Sequence, residues 1–313
     1  MHLSHDNYMD TSVRKGSPYG ALAPTPPPDY DLEHDTADLK NLTPESSRSA
    51  ESLPPAYEEG NGMGPSTSPD QFPKARSVAA FRHTKALQVE SVGHPWFSLP
   101  LPPKPVPIPV YAVQHETNLV GEMVYQSLRQ KRRSGDCTLV RAGDPSEEAL
   151  VTTNYRFGCG RAPCMQIGDG EQFEIVNRGF ATRATVFRTQ LGTFEWRYAN
   201  RQERKAMGAH SLILFERVTK VALDEKRDDE QRTIVAMFVR NKEVRTAGTG
   251  DSTAGNGGRL LLDMRALMDS KGLDEQFEQL VVSSCICMMK REVDRRRVHQ
   301  AIMIAGASGG GGG

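Results

Sequence analysis

The chain has five cysteines, two tryptophans and no net charge, and none of its apolar stretches is long. The longest, LVVSSCICMM at 280–289, is about half of the ~20 residues that a membrane-spanning helix needs. We therefore expect no transmembrane segment. The cysteines show no C-x-x-C pairing, which argues against a disulfide framework and against the common structural zinc modules. There is no serine elbow between a strand and a helix, no kinase signature and no H-E-x-x-H, so no recognised catalytic chemistry has support and an enzyme is not expected. The opening MHLSHDNYMD lacks a basic segment followed by an apolar one, so no secretory signal is expected and the reading is cytoplasmic, with peripheral placement at a membrane left open. The sequon at Asn41-Leu42-Thr43 is then a chance match.

Zero net charge conceals two halves. Residues 1–105 hold nine Lys and Arg against thirteen Asp and Glu, whereas 106–313 hold thirty against twenty-six. An excess of four positive charges over so long a stretch is too weak to argue for nucleic acid. The first half is rich in Pro, Ser, Asp and Glu and has neither helical nor strand periodicity, which predicts a disordered tail over 1–105. It contains Ser17-Pro18, Thr25-Pro26, Thr43-Pro44 and Ser68-Pro69, pairs expected in any such tail. SLPLPPKPVPIPV at 98–110 reads as polyproline II and as a stiff lead into the first strand.

From 106 the texture changes to short runs of Val, Ile, Phe, Tyr and Thr. About ten strands are expected: VPIPVYAV, LVGEMVYQSL, CTLVRA, ALVTTNYRF, QFEIVN, RATVFRT, GTFEWRYA, SLILFERVT, TIVAMFVR and RLLLDMR. In TFEWRY, Phe194, Trp196 and Tyr198 alternate with Thr193, Glu195 and Arg197, which predicts one wet face. Near the C-terminus a helix is expected at about 274–297, with Asp274 as its cap. Between Gln279 and Met289 it carries no charge, and Phe277, Leu280, Val281, Val282, Cys285, Ile286, Met288 and Met289 place apolar groups on every side. Such a helix must be enclosed. We expect a mainly β fold, a closed antiparallel β-barrel around this central helix over 106–305, with a flexible glycine tail at 306–313. A β-sandwich with the helix on one face is the competing arrangement.

The stretches MQIGDGEQFEIVNRG, GTFEWRYANRQERK and STAGNGG, within a β-rich domain closed by one hydrophobic helix, resemble the tubby C-terminal-like superfamily, and its fungal members most. The superfamily includes tubby proteins, LURP-one-related proteins and phospholipid scramblases. The resemblance covers residues 106–300 and is architectural. It implies a barrel of about twelve strands around the helix, and it assigns no lipid-ligand residue.

Several constellations invite sharper readings. GTGDSTAGNGGR at 248–259 lacks the Lys and Ser/Thr of a phosphate loop and reads as a flexible hairpin connection. Asp169 and Glu171 could offer carboxylates to a metal, but Gly168-Asp169-Gly170 is first a tight turn. Cys159 and Cys164 could join His210 in a zinc site, although free thiols are the default, and Cys285 and Cys287 read as buried core. No metal and no cofactor is expected. Between 156 and 205 the basic residues Arg156, Arg161, Arg178, Arg183, Arg188, Arg197, Arg201, Arg204 and Lys205 outnumber five acids. On a barrel surface Arg178, Arg183, Arg188, Arg197, Arg201, Arg204 and Lys205 are candidate ligands for an anionic phospholipid, set against an ordinary solvated sheet face.

The tail carries the most specific signal. TPPPDYD and ESLPPAYEEG each contain Pro-Pro-x-Tyr: Pro27, Pro28 and Tyr30, then Pro54, Pro55 and Tyr57 preceded by Leu53. A proline pair presents a preformed polyproline II ridge to an aromatic groove, and the tyrosine adds a second anchor. The pattern resembles the PY motif through which adaptors recruit HECT-type ubiquitin ligases by their WW domains. The favoured expectation is thus an adaptor, with the barrel recognising membrane or cargo. The competing expectations are a phosphoinositide or membrane-surface reader without ligase recruitment, and an enzyme of unrecognised chemistry.

Overall fold

In the computed structural model, the described residues are 78–308 apart from 133, 156–160, 180–181, 225–226 and 266–272. After a single 3-10 turn at Val78–Ala80, the strands are β1 (Lys85–His94), β2 (Ile108–Val113), β3 (Val120–Leu128), β4 (Cys137–Arg141), β5 (Ala149–Asn154), β6 (Cys164–Ile167), β7 (Phe173–Glu174), β8 (Val176–Asn177), β9 (Thr185–Thr189) and β10 (Gly192–Tyr198). A short helix α1 (Arg201–Ala206) precedes β11 (Ser211–Asp224), β12 (Arg227–Arg240) and β13 (Ala254–Leu262), and helix α2 (Leu273–Ser308) follows. The strands form one antiparallel sheet in the order β7-β6-β5-β4-β3-β2-β1-β13-β12-β11-β10-β9-β8. Its two edges, β7 and β8, are separated only by the buried Ile175, so one stretch of chain pairs with β6 and then with β9 and nearly closes a barrel.

Helix α2 fills that barrel. Residues 277–289 are all buried, including Phe277, Leu280, Val281, Val282, Cys285, Ile286, Met288 and Met289. The sequence-based expectation of a mainly β barrel around an apolar helix holds. Trp196 supplies the largest side chain against the helix, and its indole N–H donates to Ser284 Oγ at 2.9 Å. Its ring lies 4.6 Å from that of Phe215, which in turn meets Phe187, Phe194 and Phe277 in a cluster with centroid separations of 5.0–6.3 Å. Burial raises the thiol pKa of Cys287 to about 12 and also raises that of Cys285, which suits a packing role.

Four expectations about boundaries need correction. Residues 85–94 belong to the barrel, because Leu87 and Val89 are fully buried and β1 pairs with both β2 and β13. The proline-rich stretch is therefore a connection from β1 to β2. It is held by side chains that donate to its carbonyls: Gln300 to Pro95 and Trp96, Arg297 to Pro100, Arg132 to Pro102 and Arg129 to Pro103. Prolines lack N–H groups, so a stretch rich in them has few backbone donors with which to satisfy its own carbonyls, and side chains from elsewhere supply them.

The glycine-rich segment is likewise no mere loop. Only 248–253 turns, whereas 254–259 runs into β13. A Cβ on Gly257 would lie 2.1 Å from the Val89 carbonyl oxygen, and one on Gly255 would lie 2.7 Å from that of Met289. These glycines let a strand approach its neighbour and the helix more closely than a side chain allows. Finally, α2 begins at Leu273, which puts Asp274 in its first turn, and continues to Ser308, well past 297. Residues 306–308 are helical.

The apolar run LILF in β11 reflects burial on both faces. Ile213 and Phe215 point into the barrel, while Leu212 and Leu214 pack with Val78, Ile234, Met237 and Val239 in a second cluster outside it. No helix among the described residues is long and apolar enough to cross a membrane.

Val282→Glu places an ion at a fully buried position in the apolar core, which costs several kcal/mol by order of magnitude. We expect loss of cooperative thermal unfolding by circular dichroism; an unchanged melting curve would contradict enclosure of the helix.

Candidate functional site at the two barrel mouths

The outer face of the sheet does not present its arginines as the sequence suggests. Glu195, on the face expected to be wet, is 1 % exposed, and Arg178 and Arg232 donate to it at 3.1 and 2.9 Å. Glu216 beside it accepts from Arg197, which also makes a bidentate pair with Glu203 at 2.7 and 2.9 Å. Glu203 doubles as the third residue of a capping box, exchanging hydrogen bonds with Asn200 at the start of α1. Arg178 and Arg197 are therefore committed to carboxylates. Arg188 lies at the opposite mouth from Arg183 and Arg204, and Arg201 and Lys205 are exposed on α1. Arg161 is exposed, and Arg156 falls outside the described residues.

Two of the expected seven, Arg183 and Arg204, do converge. They line a cavity of about 700 Å³ at the C-terminal end of the buried helix, together with Arg240, Arg245, Arg295 and Arg296. Only Asp251 and Glu292 oppose these six arginines, and Trp96, Tyr198, His210 and His299 complete the wall that matters here. Glu292, Arg295, Arg296 and His299 follow the i, i+3, i+4, i+7 spacing of one helical face. That spacing was readable in KREVDRRRVHQ; Arg240, Arg245 and Trp96 come from distant segments that only the fold assembles.

The floor of the cavity is rigid and neutralised. Arg240 forms a bidentate pair with Glu292 at 2.7 and 2.8 Å, the hydroxyl of Tyr198 donates to Glu292 at 2.8 Å, and the amide of Gly255 donates to it at 3.1 Å. Arg245 pairs with Asp251. The rim differs. Among the described residues Arg183, Arg204, Arg295 and Arg296 have no carboxylate partner: Arg204 donates to the His210 carbonyl, Arg295 to Tyr198 Oη, and Arg296 lies 4.3 Å from the Trp96 ring centroid. One guanidinium nitrogen of Arg296 is buried without a hydrogen bond. Burial holds the Arg296 pKa below the ordinary value, with Glu292 opposing the shift. A multivalent anion would satisfy such a rim through charge-assisted hydrogen bonds.

The other mouth has the opposite sign. A cavity of about 810 Å³ there is lined by Glu148, Asp169, Glu171 and Glu275 against Arg188. Residues 275 and 295 of α2 mark the two ends, about 30 Å apart at ~1.5 Å per residue. Gly168-Asp169-Gly170 forms the tight turn after β6, with the Gly170 amide bonded to the Ile167 carbonyl. Cys164 sits on β6 within 3.7 Å of Gln172, and His210 stands 4.0 Å from Asp251 at the basic mouth, so these two do not form the zinc site considered from sequence. Cys159 lies outside the described residues.

Burial raises the Glu292 pKa, but Arg240 and the hydrogen bonds it receives more than reverse this, leaving it below its ordinary 4.5. The stability it contributes is therefore complete above about 4.5 and is lost as pH falls through the lower folded-state value. Glu292→Gln leaves Arg240 buried without a counter-ion and should cost about 3–5 kcal/mol at neutral pH. It should also make the acid-side loss of stability shallower in urea titrations repeated across pH; an unchanged slope would refute the ion-pair assignment. In comparisons with known proteins the chain matches no family model, no curated protein and no solved structure.

Proposed function

We propose that the protein is a non-catalytic adaptor whose barrel reads an anionic phospholipid surface through its basic mouth and whose tail recruits WW-domain proteins. The observation that supports the barrel half is the charge separation along α2: among the described residues, four arginines without carboxylate partners at one mouth, and at the other four acids, of which Glu275 is paired with Arg141. A field of that polarity orients the barrel toward an anionic surface, where each basic residue contributes on the order of 1 kcal/mol. The tubby-like resemblance belongs to the same proposal, since the architecture it implies is compatible with this barrel. Purified full-length protein should sediment with anionic vesicles and not with neutral ones, increasingly so at low ionic strength. Arg183→Glu/Arg204→Glu should reduce that binding at least about tenfold, on the same order-of-magnitude rule. Equal sedimentation of parent and variant would remove the lipid assignment from this mouth.

The tail half rests on the repetition of Pro-Pro-x-Tyr at Pro27-Pro28-Asp29-Tyr30 and Pro54-Pro55-Ala56-Tyr57, all outside the described residues. A separation of 27 residues, as between Tyr30 and Tyr57, corresponds to about 30 Å under flexible-chain statistics, which would let both motifs engage one tandem-WW partner. Linked engagement raises avidity without any new contact. A HECT-type ubiquitin ligase is the partner class, and Lys15, Lys40 and Lys74 lie in the same segment as acceptors. Tyr30→Ala and Tyr57→Ala should each weaken binding to a tandem-WW protein modestly, and together by roughly a hundredfold or more, measured by calorimetry. A double variant that binds as the parent does would make the motifs compositional accidents.

A further inference from the structure

Beyond Arg297 the helix has no Asp, Glu, Lys or Arg, and it stands clear of the barrel: Ile302 and Met303 are each 63 % exposed. The connection from β1 to β2 lies beside it and exposes Phe97 almost completely, at 96 %, with Leu99 and Leu101 also largely exposed. These are one feature. Gln300 bonds to the carbonyls of Pro95 and Trp96, Arg297 to that of Pro100, and the Trp96 ring packs 5.8 Å from that of His299. His94 adds a buried fastening, its Nε2 within 2.8 Å of Gln300 Oε1 and 2.9 Å of Ser98 Oγ. Two segments distant in sequence thus hold an apolar fringe together at the edge of the arginine-lined cavity, which Trp96, Arg296 and His299 also line. Exposed apolar patches of this kind mark interaction surfaces.

We propose that this fringe inserts into the interfacial region of an anionic lipid bilayer, with Phe97, Leu99, Leu101, Ile302 and Met303 below the headgroups and the arginines of the rim at headgroup level. Charge complementarity selects this occupant. A basic belt followed directly by an apolar tip without Asp, Glu, Lys or Arg is the order in which a bilayer presents phosphate and then hydrocarbon. The acidic mouth is at the far end of α2, where it meets no lipid. The tip from 298 to 308 is about 16 Å long at ~1.5 Å per residue, enough to enter one leaflet's interface and too short to span. The inference rests on the basic-mouth reading above and adds that binding has an apolar component that salt does not screen.

Trp96 provides a built-in reporter, because the only other tryptophan, Trp196, is sealed in the core. Adding phosphatidylserine-containing vesicles to the full-length protein should shift tryptophan emission to the blue, lipids brominated near the headgroup should quench it, and Trp96→Phe should abolish both responses. Phe97→Asp and Ile302→Asp, both at exposed positions, should each reduce vesicle partition by at least about tenfold, the expected loss from withholding one large side chain from an apolar phase. Their melting curves should match the parent. If both Asp variants and the parent partition alike while Arg183→Glu/Arg204→Glu does not, insertion is overturned and electrostatic recognition stands. If the parent ignores anionic vesicles, both readings fall. If the Asp variants instead dissociate a dimer seen by size-exclusion chromatography and leave vesicle partition unchanged, the fringe joins two copies of the chain and the proposal is wrong.

Discussion

The enclosure of residues 277–289 of α2 is the constraint to which the rest of the barrel answers. From Gln279 to Met289 it carries no charge and turns apolar groups to every azimuth, so sheet must surround it and an open sheet could not, while Glu278 at its start is buried against Lys85. This is why a stretch as short as 173–177 serves as β7 on one edge and β8 on the other, with Ile175 buried between them. Enclosure also dictates where small residues go. Gly255, Gly257 and Gly258 remove side chains where β13 meets the helix and its neighbouring strands, and Ser284 on the helix leaves room for Trp196 while satisfying its indole N–H. A larger residue at any of these points would force the wall outward and open voids against the others.

A sheet that is full on the inside has to manage charge on the outside, and here it does so by pairing in rows. Glu195 and Glu216 face each other across β10 and β11, which alone would be repulsive. Arg232 from β12 reaches both, Arg178 and Arg197 flank them, and the carboxylates end up as buried as core residues. Breaking such a network is costlier than its net worth, because each missing partner strands a desolvated charge. It also withdraws two arginines from any ligand, so a basic surplus in this region does not amount to a binding patch.

The helix, the all-β texture and most strands were legible because each is a local pattern: a charge-free window, an alternation, a turn residue. β1 was not, since KALQVESVGH lies between a tail-like segment and a run of prolines, and its burial depends on β2 and β13 arriving on either side. The glycine-rich start of β13 reads as a loop from its composition, and only the closeness of Val89 and Met289 reveals what the glycines are for. At the site, Arg183 and Arg204 were found from a count of basic residues, but Arg178 and Arg197 were counted with them because ion pairing depends on cross-strand register. The helical face of Glu292, Arg295, Arg296 and His299 was visible as spacing. Its significance was not, because Arg240, Arg245 and Trp96 approach from segments about fifty to two hundred residues away.

Because α2 is both the core of the barrel and one wall of the cavity, the site inherits the rigidity of the fold. Glu292 is the joint between the two: it accepts from Arg240 of β12, Tyr198 of β10 and Gly255 of β13, so three strands are registered against one helical turn. Among the described residues, the arginines that line the cavity above it, Arg183, Arg204, Arg295 and Arg296, have no carboxylate partner. Cations kept apart by flexible side chains would relax on their own; here Arg295 is tied to Tyr198, Arg204 to the His210 carbonyl, and Arg296 is laid over Trp96. Arg295, Arg204 and Arg296 are thus positioned by contacts within the protein rather than by a carboxylate, and a group positioned in advance loses less freedom on meeting a counter-charge than a mobile one does.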